Sequence, residues 1–171
     1  MATSLKKYLQ SLTHDELVEE VLKISKKFST VKAYFDMELG DTAQQALLVA
    51  DCKAKIKKHY FPTRGYGNPK AAEVRKLISD FRKIAVHPYD VVDVILFRVE
   101  QAVDFTNAYG DITEAFYTST ESAFEEALKL MTINALVGQF EPRCRKIVLE
   151  TQDIGWGFAD GIDQLAEDYL P

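Results

Sequence analysis

The stretch that decides the fold is Tyr89-Asp-Val-Val-Asp-Val-Ile-Leu-Phe-Arg-Val-Glu-Gln-Ala-Val-Asp-Phe-Thr-Asn-Ala108. Its apolar residues recur at spacings of three and four, which is the period of an α-helix. Val91, Val94 and Phe97 widen the apolar face beyond a single stripe. Because a helix that is apolar around most of its circumference is covered by neighbours on several sides, the stretch predicts the central helix of an all-α protein.

The segments on either side of this stretch have the same helical period, and none has the sustained alternation of a half-buried strand. Breaker residues divide them at Gly40, at residues 61–69, at His87-Pro88, at Gly110, at Gly138 and at residues 155–157. The sequence therefore predicts about eight or nine helices. Their short connections favour antiparallel neighbours in a compact array or a short superhelical stack, and we expect one domain over residues 1–171.

Local signals predict individual helix boundaries. Thr13 with Glu16 has the form of a capping box, and so does Asp111 with Glu114. Other signals are an Asn68-Pro69 pair that suits a helix start, Gly138 closing a helix that runs to Val137, and Pro142 opening a shorter one. The first long helix carries an apolar stripe made of Leu17, Val21, Ile24 and Phe28.

Composition excludes several classes of protein. A chain of 171 residues with 47% hydrophobic residues is long enough to build its own core. Cys52 and Cys144 are too few for a disulfide framework and suit a reducing cytosol. The longest nearly apolar run, residues 91–97, is far shorter than a membrane span, and no signal peptide is expected. No metal-ligand spacing, phosphate-binding loop or nucleophile motif is present, so we expect no metal, no cofactor and no catalytic residue.

Charge is distributed unevenly along the chain. Residues 1–85 contain 16 Lys and Arg against 10 Asp and Glu, whereas residues 86–171 contain 5 against 16. The basic residues concentrate in two predicted helices, residues 52–60 and 70–83, on either side of a predicted loop at residues 61–69. One interpretation is a face that binds phosphates of RNA or DNA, made of Lys57, Lys58, Arg64, Tyr66, Lys70, Arg75 and Lys76. The alternative is a solvated surface, or one that docks onto the acidic half of this chain or of a second copy.

A second group of residues surrounds the turn at residues 104–117. It consists of Asp104, Asn107, Tyr109, Asp111, Tyr117 and the single tryptophan, Trp156. Glu100 and Asp104 lie four residues apart, as do Glu121 and Glu125 on the next helix, and these carboxylates are able to form an acid–base or cation pocket if the faces meet. Trp156 lies between two glycines and suits a ligand or partner anchor. The alternatives are a capped helix turn with solvated acids, and a tryptophan that plugs the end of the core.

Several segments together resemble a bacterial family of uncharacterised, single-domain helical proteins. The resemblance spans residues 5–169 and is carried by residues 61–66, 79–81, 103–111, 115–117 and 154–158. It implies a stand-alone bacterial cytoplasmic protein. Because the function of that family is itself unassigned, the resemblance implies no activity and no catalytic residue.

The leading hypothesis from the sequence is a non-enzymatic helical interaction module whose partner is a protein or another macromolecule. Nucleic-acid binding through the basic helices is the second hypothesis. The third is an enzyme or small-ligand binder that uses the 104–117 turn with Trp156. A homodimer is a further alternative, and no membrane partner is expected.

Overall fold

The computed structural model describes residues 2–171, with side chains from Ser4 onward. This part of the chain forms nine α-helices and no strand. They are α1 (Ala2–Ser11), α2 (His14–Lys27), α3 (Ser29–Leu39), α4 (Thr42–Tyr60), α5 (Ala71–Arg82), α6 (Pro88–Tyr109), α7 (Glu114–Ile133), α8 (Val137–Thr151) and α9 (Phe158–Tyr169). The predicted all-helical array is confirmed.

The helix α6 is the centre of the core. It packs against α4, α5, α7 and α8, while α9 covers α7 and α8. Its apolar residues are buried on every side, including Val92, Val94, Ile95, Leu96, Val99 and Val103. The predicted central helix is therefore confirmed, and the wide apolar face identified in residues 89–108 accounts for its four neighbours.

The predicted capping box at the start of α2 is confirmed, and α4 also begins with a side-chain cap. The Thr13 hydroxyl accepts from the Glu16 N–H at 3.3 Å, and the Glu16 carboxylate accepts from the Thr13 N–H at 2.7 Å. The bond from the Thr13 N–H, followed by a second bond that the Thr13 hydroxyl donates to the carboxylate, lowers the pKa of Glu16. At the start of α4, Asp41 accepts from the Gln44 N–H at 2.8 Å. The side chains thus satisfy N–H groups that the first helical turn leaves without partners.

The predicted capping box of Asp111 with Glu114 is wrong. Thr113 caps α7, because its hydroxyl accepts from the Phe116 N–H. Asp111 instead accepts from the phenol of Tyr117 at 2.9 Å. A helix in residues 70–83 is confirmed, but it begins at Ala71 with Lys70 as N-cap, so Asn68-Pro69 lies in the preceding loop.

The boundary between α7 and α8 also differs from the prediction. The helix α7 ends at Ile133, before Gly138, because the chain turns through Ala135 at φ +55°. The N–H of Leu136 donates to the carbonyl of Met131 at 2.8 Å, which is the long bond of a Schellman motif. Pro142 lies in the second turn of α8, where a missing N–H removes only one helical bond.

The first two helices form an arm that the rest of the chain leaves largely uncovered. We call residues 2–27, α1 with α2, the N-terminal arm. It packs on the remaining helices through the contact of α2 with α3. No residue of α2 is buried. The predicted apolar stripe is present, but most of it faces solvent. None of the described helices is long and apolar enough to cross a membrane.

Candidate functional site

The structure brings together the turn at residues 104–117 and the segment before α9. The Tyr117 phenol donates to Asp111 and accepts from the N–H of Ile112 at 3.3 Å. Its ring lies 4.9 Å from that of Phe158 at the start of α9. Asn107 donates from Nδ2 to the carbonyl of Glu150 at 3.0 Å. The ends of α6 and α8 and the starts of α7 and α9 therefore meet at one end of the molecule.

Trp156 lies at this end but does not plug the core. Its side chain is 64% exposed, so the interpretation as a core plug is wrong. Its backbone has φ +61°, a left-handed conformation that is unfavourable for a residue with a side chain. The preceding Gly155 lies beside the Asp111 carboxylate, since a Cβ there would stand 3.6 Å from Oδ2. The indole is therefore presented to solvent next to the predicted turn.

The loop at residues 61–70 reaches the same end. The ring of Tyr66 meets the ring of Tyr109 edge to face, with centroids 5.8 Å apart. Gly67 fixes the loop against the end of α4, because a Cβ at this position would stand 1.8 Å from the carbonyl oxygen of Tyr60. The two groups predicted from the sequence thus share a border, at which Tyr66 and Tyr109 are both exposed.

The predicted carboxylate pocket does not form. Arg143 on α8 holds Glu100 through two bonds, at 2.5 and 2.8 Å, whereas Glu125 pairs with Lys129 of its own helix. Asp104 stays exposed at the end of this group and accepts from Gln101 at 3.1 Å. Partial burial, followed by repulsion from neighbouring carboxylates, raises the pKa of Asp104. No second carboxylate joins it in a shared hydrogen bond among the residues described.

The basic surface divides into paired and unpaired cations. Lys53 and Arg82 pair with acids of the C-terminal half, Asp93 and Glu126, both at 2.6 Å. Lys55, Lys70 and Lys83 pair with acids of their own segment. Five cations have no carboxylate within 4.0 Å in the part of the chain that the structure describes. These are Lys57, Lys58, Arg64, Arg75 and Lys76, all of them predicted anion-binding residues.

A pocket between α5, α6 and α7 contains a buried arginine that was not among the predicted site residues. Arg98 of α6 is only 4% exposed, and its Nη2 donates to the Ser119 hydroxyl at 2.6 Å and to the Ser119 carbonyl at 3.0 Å. Arg75 donates to the same hydroxyl at 3.2 Å. The pocket has a volume of about 190 Å³ and is lined by Arg75, Ile78, Ser79, Arg82, Arg98 and Glu126.

A signal for this pocket was present in the sequence. Arg98 stands in the most apolar helix of the chain, where a charged residue is rarely fully buried. Its partner Ser119 lies 21 positions away with no motif around it. The arginine was therefore recognisable as unusual, but its surroundings were not.

The two thiols are not available for nucleophilic chemistry at neutral pH. Burial raises the pKa of Cys52 to about 11 and that of Cys144 to about 12. A thiol that stays protonated is a poor nucleophile, and both cysteines belong to the buried core. Within residues 2–171, no group of three or more His, Cys, Asp or Glu is placed to hold a metal ion.

Comparison with known proteins gives one match. A family model described as a family of unknown function, DUF6155, matches residues 1–169. No curated protein and no solved structure matches the chain. The expected resemblance to a helical family without an assigned function is therefore confirmed over nearly the whole chain.

Proposed function

We propose, for a chain that belongs to DUF6155, a family of unknown function, the role of a non-enzymatic helical interaction module whose first partner is a second copy of itself. The observation that carries the proposal is the uncovered apolar face of α2. Val18, Val21, Leu22 and Ile24 are exposed on this helix, and Phe28 is exposed directly after its end. Contiguous exposed apolar surface of this kind marks an interaction site more often than isolated exposed residues do.

The apolar surface continues from α2 onto α1. Leu5, Tyr8 and Leu9 are exposed on that helix. A hollow of about 610 Å³ is lined by Leu5 and Leu9 of α1, by Leu12 of the connection and by Leu17 of α2. The N-terminal arm therefore offers one apolar surface made by two helices, which a partner can cover at once.

The charges of α2 favour a second copy as that partner. Asp15, Glu16, Glu19 and Glu20 occupy its first half, and Lys23, Lys26 and Lys27 occupy its second half. A two-fold interface places the same surface on both subunits, and two copies of one helix can pair across it in a parallel or an antiparallel direction. The antiparallel direction keeps the like charges of the two copies apart. The acidic half of each copy then faces the basic half of the other.

Helical geometry gives this pairing a register. With the two-fold axis level with the bond between Leu22 and Lys23, Val21 of one copy lies opposite Ile24 of the other along an apolar seam. On one flank of the seam, Glu20 lies beside Lys27 of the second copy. Both the apolar and the charged residues of α2 thus find complementary neighbours in one arrangement.

Sedimentation velocity tests the proposal. At about 100 µM we expect the wild-type chain to sediment as a dimer, and Val21→Glu to sediment as a monomer because it places a charge in the apolar seam. Ile133→Glu on α7 is the matched control, since Ile133 is equally apolar and even more exposed. A monomeric wild-type chain at this concentration would contradict the proposal.

A charge exchange tests the register. Glu20→Lys and Lys27→Glu each place like charges together in their own homodimer, so both variants should dissociate more readily than the wild type. Mixing the two variants restores opposite charges at both contacts, and we expect the mixture to form a heterodimer. If the mixture stays as monomeric as its components, the antiparallel arrangement is wrong.

The proposal includes a bacterial cytoplasm as the place of action. The resemblance of the sequence to bacterial proteins supports the origin. Two buried cysteines that form no disulfide suit a reducing compartment.

Nucleic-acid binding is the second candidate function. The five unpaired cations all lie between residues 57 and 76, within ten positions of the exposed Tyr66 in the sequence. Fluorescence anisotropy with labelled single-stranded RNA should then show binding that falls by orders of magnitude between about 50 and about 200 mM salt. Joint replacement of Lys57, Arg64 and Lys76 by Ala should abolish it. The matched control replaces the paired Lys55, Lys70 and Lys83, with the same change in net charge. Equal losses in both triple variants would indicate diffuse attraction only.

A further inference from the structure

We propose that the pocket between α5, α6 and α7 binds a small phosphate-bearing anion, a property independent of the pairing of α2. Arg98 is the first reason. Its guanidinium is charged at every physiological pH, and no carboxylate lies within salt-bridge distance of it in residues 2–171. Ser119 offers only neutral oxygens to this guanidinium, and the Nε of Arg98 has no hydrogen-bond partner.

An uncompensated buried charge is costly to a folded protein. Burial of an ion without a counter-ion is destabilising, and folded chains normally pair such a group or leave it in water. Arg98 is neither paired with a carboxylate nor exposed to water, but it lines a pocket that a ligand can enter. An anion in this pocket supplies the missing counter-charge.

The charge of the pocket matches a phosphate dianion. Arg75, Arg82 and Arg98 contribute three positive charges, and Glu126 contributes one negative charge that Arg82 pairs at 2.6 Å. Arg75 and Arg98 remain without a carboxylate partner. Two guanidinium groups held together by one serine suit the oxygens of a phosphoryl group, which guanidinium binds through paired hydrogen bonds.

The neighbouring surface suggests a phosphate monoester. A second hollow of about 390 Å³ shares Arg75 with the pocket, and its other polar lining residues are Glu114, Thr118, Ser119 and Ser122. It offers hydrogen bonds to a polar carbon skeleton attached to the phosphate. We therefore expect the ligand to be a small hydroxylated phosphomonoester.

Isothermal titration calorimetry at constant ionic strength tests this inference. The probes are inorganic phosphate and glycerol 3-phosphate, with chloride as the reference anion. Saturable binding of one molecule per chain supports the inference. Tighter binding of glycerol 3-phosphate identifies the ester as the ligand class, and equal binding identifies free phosphate. Absence of saturable binding by both compounds overturns the inference.

Two neighbouring residues of α5 provide a matched pair of variants. Arg75→Gln should weaken phosphate binding by roughly tenfold or more, because it removes a charge-assisted hydrogen bond. Lys76→Gln removes the same charge from an exposed residue that does not line the pocket, and it should leave binding nearly unchanged. Equal weakening by both variants would contradict a defined site.

Two further variants separate binding from folding. Arg98→Met should abolish phosphate binding while the melting temperature of the ligand-free protein stays equal or rises, since an apolar residue replaces an unpaired buried charge. Glu126→Gln should strengthen binding several-fold, because Arg82 is released from its partner. A lower melting temperature for Arg98→Met, combined with unchanged binding in Glu126→Gln, would assign Arg98 a structural role only and overturn the inference.

Discussion

At the scale of single residues, Ala135 follows the end of α7 in a backbone conformation that is unfavourable for alanine. Its φ of +55° lies in the left-handed region, which costs a residue with a Cβ about 1 kcal/mol or more relative to glycine. Because the Schellman bonds around it involve only backbone groups, glycine keeps them. We expect Ala135→Gly to raise the free energy of unfolding by about 0.5 to 1 kcal/mol in urea denaturation. Ala54→Gly, at an exposed position inside α4, should lower it by a similar amount. A destabilised Ala135→Gly protein would contradict this account of the turn.

At the scale of helices, the sequence predicted those elements whose signals are local. The apolar period of residues 89–108 was sufficient to identify α6 as central, because a helix that is apolar on most sides is stable only when neighbouring helices cover it. The end of α7 was not predictable, since an alanine in a left-handed turn leaves no trace in composition. The exposure of α2 was not predictable either. An apolar stripe has the same sequence pattern whether the same chain or a partner packs on it. For the same reason the candidate site was predicted only in part: Asp111 and Tyr117 are close in sequence, whereas Arg98 and Ser119 meet only in the folded chain.

At the scale of the whole molecule, one ion network joins three helices that are distant in sequence. Arg143 of α8 binds both Asp93 and Glu100 of α6, and Asp93 also binds Lys53 of α4. These side chains are mostly shielded from water, so loss of the shared arginine removes the cation that binds Glu100 and leaves Asp93 with Lys53 in a region where hydration is incomplete. We expect Arg143→Met to lower the free energy of unfolding by about 2 to 3 kcal/mol, whereas Lys146→Met, which removes an exposed pair on the same helix, should cost less than about 1 kcal/mol. Adding Glu100→Gln to Arg143→Met should cost less than it does in the wild type, because its partner is already gone. Strictly additive losses in this cycle would mean that the network does not hold α8 against α6, and that the apolar contacts alone fix their arrangement.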